Sequence, residues 1–172
     1  AVTDGAPAEM RAAAERIDAL VRHMPASGVL GRYLGRFAGT AWLRAARSDP
    51  ADRIAAQRAV DRFADVIRTC DPYDPLWAQA ALGLAESRRL AGDPDLVATR
   101  RLGLAAVAGF ARQVLLQSGT DFAVRVARDA SADMLRVAAW CRQDRTYDEL
   151  VAALDASRGL VLRAATASRD VA

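Results

Sequence analysis

Apolar residues recur every three or four positions from one end of this chain to the other, a rhythm that fits the faces of α-helices and no other element. Over 7–24 the recurring set is Met10, Ala13, Ile17, Leu20 and Met24. Over 28–47 it is Leu30, Leu34, Phe37 and Ala41, and over 50–70 Ala56, Val60, Phe63, Ile67 and Cys70. The stretch 75–91 presents Ala78, Leu82 and Ala85 and stops at Gly92. The stretch 94–117 has a wide apolar face (Leu104, Val107, Ala108, Phe110, Ala111, Val114, Leu115), which reads as a central, covered helix. Ala123, Ala127, Ala130, Met134, Val137 and Cys141 line 121–142. Leu150, Val151, Leu154, Leu160, Val161 and Ala164 line 147–167, interrupted at Gly159.

Helix starts carry their own chemistry. Asp49-Pro50, Asp74-Pro75 and Asp93-Pro94 each put a carboxylate where the free N–H groups of a first turn need an acceptor, followed by a proline whose missing N–H costs nothing there. Ser27 and Thr120 are candidate caps for two further helices, and Thr146 with Glu149 forms a capping-box pattern. Alanine and leucine dominate the composition and only 6% of residues are aromatic, which agrees with helices throughout. The expectation is an all-α chain of about seven antiparallel helices, either a degenerate tetratricopeptide-like stack of helical hairpins or a closed bundle. Self-similarity favours the stack, since Asp95-Leu96-Val97-Ala98 and Glu149-Leu150-Val151-Ala152 lie 54 residues apart. The 172 residues suit a single helical-repeat domain, 1–172.

Reactive groups are sparse. All 24 basic residues are arginine, which with the alanine excess indicates a GC-rich genome of the actinobacterial kind; the net charge is only +3. The basic doublets Arg88-Arg89 and Arg100-Arg101 make no concentrated stripe, which argues against a nucleic-acid partner. No run of about 18 apolar residues or secretory signal is visible, so the expected location is cytoplasmic, with no membrane partner. His23 is the single histidine, and Cys70 and Cys141 fall on apolar seams where a thiol is inert. Asp61/Asp65 and Asp129/Asp133 lack the Glu-x-x-His partners of a di-metal bundle. No catalytic residue, cofactor or metal is expected, and the chain is read as not an enzyme. Gly31, Gly35 and Gly39 line one helix face, fit for close packing within the fold or for self-association. Trp140, beside Cys141 and off the main seam, reads as a half-exposed aromatic.

The run FARQVLLQSGTDFAVRVARDASADMLRVAAWC, followed by YDELVAALDASRGLVLRAATASRDV, resembles the helices that precede the CHAT domain, a caspase-like fold, in actinobacterial proteins. Its most specific piece is Leu154 to Leu162, although Asp155 and Ser157 stand where that family has glutamate and glycine. The resemblance implies a regulatory, protein-binding arm whose catalytic histidine and cysteine would lie in a domain beyond residue 172. None of those roles passes to His23, Cys70 or Cys141. The reading is therefore a non-catalytic interaction module for a protein or peptide partner or an attached C-terminal effector domain. Trp140, Tyr147, Arg158, Leu160 and Leu162 are its candidate partner-binding residues. A small-molecule sensor or enzyme in a helical bundle is one alternative. An architectural homodimer through Gly31, Gly35 and Gly39 is another.

Overall fold

The computed structural model describes residues 5–24, 28–116 and 120–156, the side chains at 5–6, 111, 114–116 and 120–129 excepted. Seven helices and no strand occur among the described residues: α1 (Gly5–Val21), α2 (Val29–Ser48), α3 (Arg53–Thr69), α4 (Pro75–Ala91), α5 (Leu96–Leu116), α6 (Thr120–Gln143) and a helical stretch over 147–156, α7. The chain divides into two compact units, Ala1–Thr99 and Arg100–Ala172, with the boundary in the first turn of α5.

The caps differ in detail from the sequence expectation. Asp74 and Pro75 start α4 as expected, with the Asp74 carboxylate accepting the Leu76 N–H at 2.8 Å. The other two Asp-Pro pairs form turns instead. Asp49 Oδ1 accepts from the Ala51 N–H and Asp93 Oδ1 from the Asp95 N–H, and the next aspartate becomes the cap. Asp52 accepts from Ala55 and Asp95 from Ala98, each at 2.9 Å. At these two pairs the carboxylate first closes a local turn, and the helix begins at the following aspartate. Gly28 takes the cap position of α2, without a side-chain acceptor; Ser27 lies outside the described residues. Thr120 is the first residue of α6. The capping box does not close, because Glu149 is taken by Arg100 and Thr146 donates to the Cys141 carbonyl.

In the first unit α2 packs against α1, α3 and α4, and α3 against α4. α1 and α4 make no comparable pairing among the described residues. The four helices therefore form an open stack of hairpins and not a closed ring. Phe63, 2% exposed, is its pivot. A Cβ on Gly39 of α2 would stand 2.9 Å from the ring, and a Cβ on Gly83 of α4 would run into it. The ring is thus clamped between two backbones, a close approach that only absent side chains permit. α4 is the most fully covered helix, with 80–87 buried without a break. This corrects the expectation that 94–117 was the central helix, since α5 exposes Arg101, Ala105 and Ala108. The buried residues of α4 are themselves small (Ala80, Ala81, Gly83, Ala85), which lets its neighbours approach closely, as the Phe63 ring does at Gly83.

Ion pairs tie the helices together. Arg62 of α3 donates to Asp18 of α1, Arg11 of α1 to Asp52, and Arg47 of α2 forks onto both oxygens of Glu86 at 2.6 Å. Burial alone would push the Asp18 carboxyl up, but the hydrogen bond and charge of Arg62 outweigh it and hold the group below the usual carboxylate range.

In the second unit α5 meets α6 where Gly103 faces Val137 and Trp140. Met134, Val137 and Cys141 are fully enclosed. Arg100, 5% exposed, donates to Asp144 at 2.9 Å and to Glu149, which fixes the turn between α6 and α7.

Candidate functional site

Among the described residues no cluster of histidine, cysteine or carboxylate side chains could hold a metal. His23 is exposed just after α1, whereas Cys141 is fully buried and Cys70 nearly so. Burial pushes both thiols up, away from the reactive thiolate. The hollows of the first unit are small or shallow. One of about 140 Å³ is lined by Trp42, Asp18, Arg22 and Arg58, below the range that ligand pockets occupy. A wider groove of about 540 Å³ runs past Pro7, Arg11, Asp49 and Asp52, and Arg11 and Asp52 are already paired with each other at 2.8 Å.

α2 is the unusual element. Its inward face is built from small residues, Gly31, Gly35, Ala38, Gly39, Ala45 and Ala46, joined by Trp42 and Leu43. In its first half the large apolar residues face outward: Val29 is 63% exposed, Leu30 59%, Phe37 51% and Tyr33 44%. An ordinary surface helix does the reverse. The cause is local. A Cβ on Gly35 would stand 3.0 Å from a Val66 methyl and one on Gly39 2.9 Å from Phe63, so α3 lies too close for any large side chain between them. With the glycines inside, the 3.6-residue turn puts Leu30, Tyr33 and Phe37 on the opposite side. The seam expected for 28–47 is thereby corrected: Leu30 and Phe37 are exposed, and Leu34 and Ala41 only half-buried. α1 shows the same displacement by one position, burying Ala14, Asp18 and Val21 while Met10 and Leu20 are exposed.

The sequence-derived site residues fare unequally. Trp140 is 7% exposed, its ring against Gly103, so it belongs to the core of the second unit and is not a half-exposed anchor. The reason is again a glycine, which opens room for an indole that lies off the seam of Met134, Val137 and Cys141. Tyr147 is 62% exposed, and Val151 and Leu154 continue its stripe along α7. Arg158, Leu160 and Leu162 lie outside the described residues. Gly31, Gly35 and Gly39 are buried within the first unit, the latter two directly against α3. The outward stripe of α2 went unread in the sequence, although glycine at every fourth position was its signal.

Comparison with protein-family models, with curated proteins and with solved structures finds no match. No helix among the described residues is long and apolar enough to cross a membrane.

Proposed function

We propose that this chain is a non-catalytic protein-interaction module, a helical arm that recognises a protein or peptide through the outward face of α2. The observation that carries the reading is the inverted amphipathicity of the first half of that helix. Leu30, Tyr33 and Phe37 recur at the i, i+3, i+7 spacing used by helix-in-groove recognition, and all are left in solvent. Exposed apolar side chains that form a continuous stripe, unlike scattered ones, mark interaction surfaces. The resemblance of the C-terminal third to the helices ahead of CHAT domains favours a regulatory setting, with the exposed Tyr147, Val151 and Leu154 of α7 as a second contact stripe.

Site-specific photo-crosslinking tests this reading. A benzophenone side chain at Phe37 is expected to capture a defined protein in cells that naturally make the chain. The same group at the exposed Arg68 on α3 is expected to capture nothing above background. Equal capture at both positions, or none at either, contradicts the reading.

A further inference from the structure

Charge on α2 narrows the kind of partner. From Val29 to Ser48 the helix holds Arg32, Arg36, Arg44 and Arg47 and no carboxylate. Two of these are engaged within the fold: Arg47 by Glu86, and Arg32 by the Thr69 carbonyl at 3.2 Å with Asp74 at 3.6 Å. Arg36 and Arg44 make no ion pair among the described residues. Arg36 lies over the Phe37 ring at 4.4 Å, its Nε is shielded and makes no hydrogen bond, and the position next to it on the stripe is Tyr33. Burial pushes its pKa down, and no carboxylate acts against that. A guanidinium is thus held in a partly dry apolar frame without a counter-ion. Its planar fork is shaped to receive a carboxylate in two parallel hydrogen bonds, and such bonds are strongest where water is excluded.

The occupant must therefore bring apolar side chains and a carboxylate together. A second copy of this chain seated face to face would set arginine against arginine, since α2 has no acid to offer. A nucleic acid would leave Leu30, Tyr33 and Phe37 facing charged backbone. We propose that the outward face of α2 binds an acidic amphipathic protein segment, its apolar residues seated on Leu30, Tyr33 and Phe37 and a carboxylate on Arg36. The inference rests on reading α2 as a recognition surface and adds the chemistry of the partner.

The test is selection of the full chain against a displayed library of random peptides, each about four helical turns long. A parallel selection uses the Arg36→Glu/Arg44→Glu variant. The expected result is enrichment of peptides that combine leucine or phenylalanine at helical spacing with aspartate or glutamate. Their affinity should fall about tenfold in Arg36→Gln and in the exposed Arg44→Gln. Against the double glutamate variant the enriched charge should switch to lysine and arginine. Thermal melts of each variant establish that the fold is retained, and Arg44→Gln serves if Arg36→Gln unfolds. Enrichment of apolar peptides with no acidic excess and no charge switch overturns the acidic partner and leaves the recognition surface standing. Failure to enrich any peptide whose binding is lost in Leu30→Ser/Phe37→Ser overturns both.

Discussion

Two helical hairpins in this chain, α3–α4 and α5–α6, use the same latch in different materials. In each, an arginine near the start of the first helix grips the end of the second. Arg53 donates to the Leu90 carbonyl at the end of α4, and Arg100 donates to Asp144 just past α6 and to Glu149 in α7. Both gripped helices end in a six-to-one turn, Asp93 N–H to the Arg88 carbonyl and Thr146 N–H to the Cys141 carbonyl. The left-handed residue is Gly92 in the first (φ 81°) and Arg145 in the second (φ 58°). Arg53 is exposed and meets a neutral carbonyl, whereas Arg100 is 5% exposed between two carboxylates. The first latch trims a helix end. The second holds a buried guanidinium whose removal takes an ion-pair partner from both Asp144 and Glu149. Glycine suits the first because of its positive φ; a Cβ on Gly92 would also stand 2.9 Å from the Arg53 guanidinium, which would have to move aside. Arg145 carries a side chain at a left-handed φ, at some strain.

The comparison can be broken at its strongest point. Arg100→Ala is expected to lower unfolding free energy by about 3–5 kcal/mol in urea denaturation; a loss under about 1 kcal/mol would reduce that latch to an ordinary surface pair. Next comes the buried carboxylate of the first unit. Asp18→Asn should lose about 2 kcal/mol at neutral pH. Because the folded-state pKa of Asp18 lies below the ordinary aspartate value, its contribution is complete above that ordinary value and is lost as pH falls through the lower folded one. Acid titration of stability should therefore show a component in the wild type that the asparagine variant lacks. Gly92→Ala should cost about 1–2 kcal/mol, from the positive φ and the displaced Arg53, read as a lower melting temperature. Arg145→Gly should show the smallest effect and the opposite sign, a gain of about 0.5 kcal/mol as relief of left-handed strain exceeds the added chain entropy.

The helices were legible because their signals are local. The bounds of α4 follow from Asp74-Pro75 and Gly92, where cap, proline and left-handed turn all lie within the helix's own sequence. Burial was less legible because it is decided between helices. Read by apolar size, Leu30 and Phe37 belong to a core. They are outside because Gly35 and Gly39 admit Val66 and Phe63 from a helix some thirty residues on. Trp140 was misplaced for the same reason, its room being made by Gly103 on another helix. The Phe63 clamp needs Gly39 and Gly83 together, and nothing in either segment alone points to the other. Glycine at every fourth position of α2 is the sequence signal that would have corrected the reading of Leu30 and Phe37, since it marks where bulk arrives from a neighbour, whereas the isolated Gly103 offers no such pattern for Trp140.

Everything proposed about recognition depends on the outward stripe of α2 lying outside the core. The most direct test is the unfolding free energy of Leu30→Ser/Phe37→Ser in the full chain. A change within about 1 kcal/mol of the wild type is predicted, the usual range for surface substitutions. A loss of about 4 kcal/mol or more, the size of two core truncations, would place those side chains inside the fold and contradict the account.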